Sequence, residues 1–387
     1  MYAARPHLPN GENEMKCIIN GAIVQPGGML EGRALVFGKK IEAIVERPPE
    51  GCEMIDAGGG IVAPGLIDVH YHGFLGWDAS RGDPEELVRM SGEKVKSGVT
   101  AWLPTTMTLP WPALERCFAA IRGAMNGPRH GAQILGCHAE GPFISSRRKG
   151  AQDGAAIQAP DIEKLRPWAD VVRLMTVAPE VPGALPFIRA ARELGVRLSM
   201  GHTDATAEEA LAGIQAGVDH VTHTFNAMPP LSHRAPGALG AALSAEGVYC
   251  ELIADTFHVS PVLFPMMAKL KPEHLVLITD SIQVAGLPDG PHDQLGQTVV
   301  VDGMRLRFPD GTIAGSALTL DAAVRNFARF GGVPMWQAVN MASLHPACSI
   351  GVEDRKGALT PGMDADIVIA NADFNVRSTY VEGELAY

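Results

Sequence analysis

The chain has 387 residues, 46% of them hydrophobic and 19% charged, with a formal net charge of −11. That length suits a large α/β barrel with an accessory piece, and the composition can bury a sizeable core. The acidic balance disfavours nucleic acid and anionic membrane surfaces as partners, whereas an anionic small substrate needs only a few local cations.

No apolar run reaches the ~18 residues needed to span a bilayer. Residues 1–15, with Pro6, Pro9, Asn10 and Gly11, lack the apolar core of a secretion signal and read as a flexible arm. The six cysteines (Cys17, Cys52, Cys117, Cys137, Cys250, Cys348) are scattered with no CxxC pair. They are expected to be reduced thiols of a cytoplasmic protein.

From Lys16 onward, short β-rich pieces broken by glycine predict a small sheet: Cys17-Ile18-Ile19, Ala34-Leu35-Val36-Phe37 and Ile41 to Val45. The tail has the same character in Ile367-Val368-Ile369 and Val376 to Val381. Chain ends often lie close together, so 16–63 and 355–387 are expected to pair into one β-sandwich domain. Between them, 64–354 is expected to form the catalytic barrel. Its first strand is the apolar run Leu66-Ile67 and Val69, bounded by Pro64-Gly65 and Gly73. A strand-then-helix rhythm follows, the pattern of parallel βα units. Further strands are predicted at Val99–Thr105, Ile134–Glu140, Val171–Val177, Arg197–His202, His220–His223, Tyr249–Ala254 and Leu275–Asp280. Helices are predicted at Pro84–Ser97, Pro112–Met125, Ile162–Trp168, Leu185–Leu194, Ala207–Ala216, Leu239–Ala245 and Pro261–Leu270. Eight strands over roughly 210 residues predict a (β/α)8 TIM-like barrel. Ser281 to Ala314, rich in Gly and Val, reads as a hairpin insertion.

In such a barrel the chemistry sits where strands end. His70 and His72 end the first strand, and residues two apart on a strand share a face, so both imidazoles can reach one divalent ion. Taken alone, that pair reads equally as two polar residues bonded to a loop. Further strand ends, however, carry Glu140, His202, His223 and Asp280. The chemistry that needs such a set is metal-assisted hydrolysis, in which an ion lowers the pKa of water and a carboxylate shuttles the proton. Asp280 is the candidate shuttle. Its other local reading is a structural aspartate capping the turn at Ser281.

On these residues the chain resembles the amidohydrolase superfamily, and within it the deacetylases of N-acetylated amino-sugar 6-phosphates. The matching pieces run in the family's order: PGLIDVHYHG from Pro64, LPTTMT from Leu103, HAEGPFIS from His138, GHTDAT from Gly201, VTHTFNAMPPLSHRAPG from Val221, DTFHV from Asp255, LITD from Leu277, GSALTLD from Gly315 and GALTPGMDADIVI from Gly357. The resemblance implies a hydrolase of linear amides that removes acetate from N-acetylglucosamine 6-phosphate in amino-sugar catabolism. It implies a metal held by Glu140, His202 and His223, with Asp280 as acid and base. It also implies a second metal at His70 and His72, bridged by Glu140. One or two divalent ions per subunit are therefore expected, zinc first, with iron, manganese or cobalt also suited. Arg234 and His258 match positions that bind the sugar phosphate, together with backbone groups around Asn226 and Ala227. Read locally, Arg234 is a solvated loop arginine; the resemblance places it in a neighbouring subunit's site and implies a homodimer. His138, His220 and His233 read as structural.

One position departs from the pattern. Where some members carry a histidine that stabilises the developing oxyanion, this chain has Gln152, whose amide donates a hydrogen bond without charge. The loop Phe74 to Asp78 is also bulkier than the glycine-rich loops of the family. Two other functions compete. One is a cyclic amidase or nucleobase deaminase of the same superfamily; cyclic amidases commonly have a metal-bridging carboxylated lysine on the fourth strand, but here that strand runs into Val177-Ala178-Pro179-Glu180. A non-catalytic binding protein on the same fold has no use for a proton shuttle such as Asp280.

Overall fold

The structure, a computed structural model, describes residues 15–387. Of the expected arm only Met15 falls within them, and its carbonyl accepts the Glu53 N–H at 2.8 Å. Eight parallel strands lie side by side in chain order: Leu66–Tyr71, Val99–Thr106, Cys137–Glu140, Val172–Val177, Arg197–Met200, His220–Val221, Tyr249–Ile253 and Leu275–Ile278. The ring closes past the eighth strand, where the Asp280 N–H donates to the His70 carbonyl and the His72 N–H to that of Ser281, both at 2.9 Å. Every residue of the first two strands is buried, as expected of parallel strands covered on both faces.

Some of the outer helices begin where the sequence supplies caps. Asp83 accepts the Glu85 N–H and Pro84 opens the first helix, Pro84–Lys94, before a single 3-10 turn at Val95–Ser97. Thr206 and Glu209 form a reciprocal capping box on Ala207–Ala216. Most predicted elements agree within two residues. The predicted Ile134–Glu140 strand is two pieces, Gln133–Ile134 and Cys137–Glu140, both paired parallel with Val99–Thr106 and separated by a break at Gly136, whose φ is 141°. The strands predicted to run to His202, His223 and Asp280 end two residues earlier, at Met200, Val221 and Ile278.

The chain ends form a single eight-stranded sheet, in which Ile61–Pro64 pairs antiparallel with Ile367–Ala370. The rings of Phe37 and Tyr380 nonetheless meet at 5.5 Å between centroids. Three strands separate theirs along the sheet, so a flat sheet would set them about 19 Å apart at ~4.8 Å per strand. The sheet is therefore folded over a shared core that includes Ile18, Leu35, Val62, Ile367 and Ile369. The sandwich-like packing arises within one continuous sheet. The predicted hairpin insertion is larger than expected: Gly290–Gln294, Gln297–Asp302, Arg305–Arg307 and Ile313–Ser316 form a four-stranded antiparallel sheet. Its alternating residues Val299 and Val301 pack with Leu306 and Ile282 into a small core of their own. Among the described residues no helix is long and apolar enough to cross a membrane.

Candidate functional site

Four imidazoles and two carboxylates converge at the C-terminal rim of the barrel. Glu140 Oε1 lies 3.1 Å from both His202 Nε2 and His223 Nε2, and those two nitrogens are 3.0 Å apart. Its other oxygen, Oε2, lies 3.3 Å from His72 Nε2. His70 Nε2 and His72 Nε2 are 3.2 Å apart, and Asp280 Oδ1 lies 3.4 and 3.3 Å from them. These six donors fall into two groups, His70/His72/Asp280 and Glu140/His202/His223, each able to hold a metal ion, and behind them His70, His138 and Glu251 make a third close group among the described residues.

Local backbone explains how residues beyond the strand ends still point inward. His202, His223 and Asp280 all adopt left-handed φ, at 46°, 28° and 52°. Non-glycine residues rarely sit there, and each costs on the order of 1–3 kcal/mol unless its surroundings hold it. Here they do. The Asp280 carbonyl accepts the Ser316 N–H, the His202 carbonyl the Ser145 N–H and the His223 carbonyl the Asn226 N–H, each at 2.9 Å. After Glu140 the chain turns at Gly141, with φ +95°, where an added Cβ would fall 2.1 Å from Thr108 Oγ1. That hydroxyl donates to the Glu140 carbonyl at 2.9 Å and fixes the strand end.

Proton positions make the cluster a cation site. His70 Nδ1–H donates to Glu251 at 2.9 Å, His72 Nδ1–H to the Thr105 carbonyl at 3.1 Å and His202 Nδ1–H to the Arg148 carbonyl at 3.0 Å. Each then turns an Nε2 lone pair inward, where lone pairs and carboxylate oxygens face one another at about hydrogen-bond distance. Such a set suits nitrogen- and oxygen-binding divalent ions. The electrostatics agree. Burial works to lower the His72 pKa, but hydrogen bonds to Asp280 and Glu140 outweigh it and push it up to about 9. For His70, burial is again outweighed, by the charges of Asp280, Glu251 and Glu140. Burial would raise Glu140, yet His70 and His202 hold it well below the usual carboxylate range; Asp280 is lowered too, by His70 and His72 against its own burial.

Above the cluster lies a cavity of 250 Å³, lined by the site residues other than His70, with Gln152, Asn226, Ala227 and His258. The insertion sheet supplies its far wall through Thr312, Ile313, Ala314 and Gly315. His258 Nδ1–H donates to Asp255 Oδ2 at 2.6 Å, leaving Nε2 as the ring's remaining hydrogen-bonding atom. Ala227 is left-handed, with φ 52°. Gln152 is held rather than free: Thr108 N–H donates to its Oε1 at 2.7 Å, and its amide donates to Glu140 Oε2. Arg234 is exposed on the loop 229–236, outside the residues lining this cavity. Glu180, at the end of the fourth strand's loop, accepts from Thr203 Oγ1 and the Asp204 N–H, both at 2.6 Å, and is not among the cluster.

Sequence reasoning missed Glu251 and Asp255. Glu251 is a carboxylate within the buried run Cys250-Glu251-Leu252-Ile253, and a charge in the middle of a buried strand is itself a signal. His138, read from the sequence as structural, donates Nδ1–H to the Val69 carbonyl at 3.1 Å, and its Nε2 lies 2.8 Å from Thr176 Oγ1.

A model of the amidohydrolase family matches residues 61–386. The chain is 36% identical over 365 residues, 93% of its length and 96% of the relative's, to an N-acetylgalactosamine-6-phosphate deacetylase of Escherichia coli O157:H7. It is 35% identical to an N-acetylglucosamine-6-phosphate deacetylase of Bacillus subtilis (strain 168), covering 90% of this chain and 91% of that one. Among solved structures, the N-acetylglucosamine-6-phosphate deacetylase of Pasteurella multocida superposes with a TM-score of 0.91 at 32% identity, over 96% of this chain and 99% of that one.

Proposed function

The chain belongs to the amidohydrolase family, and on that premise we propose that it hydrolyses the acetamide of N-acetylglucosamine 6-phosphate to acetate and the free amine. The observation that carries this reading is Asp280 standing 3.3–3.4 Å from the His70 and His72 nitrogens, at the floor of a cavity lined by His258. Ions held by Glu140/His202/His223 and by His70/His72/Asp280, with Glu140 as bridge and zinc as our choice of metal, would supply carbonyl polarisation and a water of lowered pKa.

Asp280, ionised at neutral pH because its pKa is lowered, accepts the proton of the attacking water as the new C–O bond forms. It then delivers that proton to the amide nitrogen as the C–N bond breaks, so the amine leaves neutral and the oxygen stays with acetic acid, which gives up its remaining proton to solvent as acetate. His258, oriented by Asp255 through Nδ1–H, donates Nε2–H to a phosphate oxygen when its ring carries both protons, and the backbone around Asn226 and Ala227 contributes further bonds. Gln152 holds Glu140 in register and lines the acetamide end of the cavity. Arg234 serves the cavity of a second copy, which makes the active form a homodimer. The unpaired cysteines fit a reducing cytoplasm.

The Escherichia coli relative supports N-acetylgalactosamine 6-phosphate as a second substrate. Metal-loaded protein is therefore incubated with both sugar phosphates and with unphosphorylated N-acetylglucosamine, and free amine is assayed. Release from a phosphorylated sugar, falling at least ~10²-fold in Asp280→Asn, is expected. No amine from any of the three, or near-normal turnover by Asp280→Asn, overturns the reading.

A further inference from the structure

The four inward-facing imidazoles are not oriented alike. His72 and His202 each donate Nδ1–H to a neutral backbone carbonyl, and His223 Nδ1 has no hydrogen-bond partner among the described residues. Only His70 is held by a carboxylate. Glu251 Oε2 accepts its Nδ1–H at 2.9 Å, and both side chains are fully buried. The same oxygen accepts the backbone N–H of His223, also at 2.9 Å, while Oε1 stands 3.3 Å from His220 Nε2. One oxygen therefore grips a side chain of the His70/His72/Asp280 group and the main chain of the Glu140/His202/His223 group.

A carboxylate in a strand wall is costly to bury, and it persists only where charged or strongly polar donors compensate it. Here the compensating donors are His70 and the His223 amide, the latter at a residue held in the left-handed region. A carboxylate acceptor also fixes the imidazole tautomer and strengthens its other nitrogen as a ligand more than a carbonyl does. A charge spent on a purely structural tie would not need to end on the nitrogen opposite a ligand atom.

We propose that Glu251 is the positioning residue of the His70/His72 metal site: it sets the tautomer of His70 and ties that site to the backbone of His223. Occupancy of the second site then depends on Glu251, while the Glu140/His202/His223 site keeps its own three donors without it. The inference rests on the reading of these histidines as metal ligands. It makes Glu251 and His70 a unit, since neither is well tolerated in that wall without the other.

The test is a cobalt(II) titration of chelator-treated protein, followed by d–d absorption and by metal analysis after dialysis. The native protein is expected to bind two equivalents. Glu251→Gln, with a native circular dichroism spectrum, is expected to keep one equivalent at native affinity and to bind the second roughly 10–100-fold more weakly. Two equivalents at native affinity in Glu251→Gln overturn the inference alone, as does equal weakening of both. A native protein that never exceeds one equivalent overturns the two-site reading along with it. Should Glu251→Gln not fold, nitrogen-15 NMR of the native metal-loaded protein decides. A His70 ring proton on Nδ1, shifted downfield and lost in His70→Asn, is expected; a ring proton on Nε2 overturns the proposal.

Discussion

At the scale of single residues, the site stores its charge in His72 when no cation is present. Its folded pKa of about 9 stands above the ordinary value of 6.5, because hydrogen bonds to Asp280 and Glu140 outweigh the effect of burial. A raised histidine pKa means that the folded chain binds the proton more tightly than the unfolded one. The resulting stability is full below about 6.5 and is lost as pH rises through about 9. Glu140 and Asp280, both lowered, stay ionised across that window and add no slope. His138, held neutral by burial with a pKa of about 3, acts only below 6.5. His70, raised by the charges of Asp280, Glu251 and Glu140, adds a slope of the same sign, so chelator-treated protein should lose at least about 3 kcal/mol between pH 6.5 and 9, read as a falling Tm, because a pKa unit is worth about 1.4 kcal/mol. Metal-loaded protein should stay flat, since an ion replaces the proton on Nε2. A Tm of the metal-free protein that rises across this window would show that His70 and His72 are not the groups in control.

At the scale of elements, the strands that bear the site are stapled from behind. Lys94, in the last turn of the helix Pro84–Lys94, places Nζ 2.8 Å from Asp68 Oδ2 in the first strand and 3.3 Å from the centre of the Tyr71 ring. Thr279 Oγ1, just past the eighth strand, donates to the same oxygen at 2.8 Å. The ammonium therefore joins one helix to the two strands that carry His70, His72 and Asp280. Removing one partner of a buried pair leaves the other charge uncompensated, which costs about 3–5 kcal/mol, whereas removing both costs far less. Lys94→Met should lower stability by that amount in denaturant unfolding, and Lys94→Met with Asp68→Asn should recover most of it. A single-variant loss below ~1 kcal/mol would mean that water reaches the pair. The folded-over sheet and the insertion act differently. The sheet closes on Phe37 and Tyr380 in a core separate from the barrel's, whereas the insertion lends Thr312 to Gly315 to the cavity wall.

At the scale of the whole molecule, the question is what completes the cavity. His258 lies within it, whereas Arg234 is exposed and outside the lining of its own chain's cavity, and the proposed homodimer assigns it to the cavity of a second copy. The phosphate lies far from the bond being cut, so its binding energy serves to position the acetamide. Arg234→Ala should raise KM for the sugar phosphate roughly 10–150-fold, the value of a charge-assisted pair at ~1.5–3 kcal/mol, and barely alter turnover of the unphosphorylated sugar. Mixing Arg234→Ala chains with Asp280→Asn chains should restore activity at low substrate, because each heterodimer then holds one site with both residues intact. A mixture that recovers nothing would remove Arg234 from the partner's site.

The sequence by itself determined the barrel and the ends that carry chemistry. Parallel strands covered on both faces are mostly apolar, with paired exceptions such as Asp68 and Glu251, so clusters of polar residues mark where strands stop, and His70, His72, Glu140, His202, His223 and Asp280 stand at or just past those points. Tertiary structure alone decided what each group touches. His70 meets Glu251 across 181 residues, Gln152 turns its amide to Glu140 instead of to open space, and the tail strands fold over to meet Phe37. These contacts depend on how far each strand is staggered against the next around a closed ring. That stagger is set by packing of the whole core, and no local run of residues encodes it.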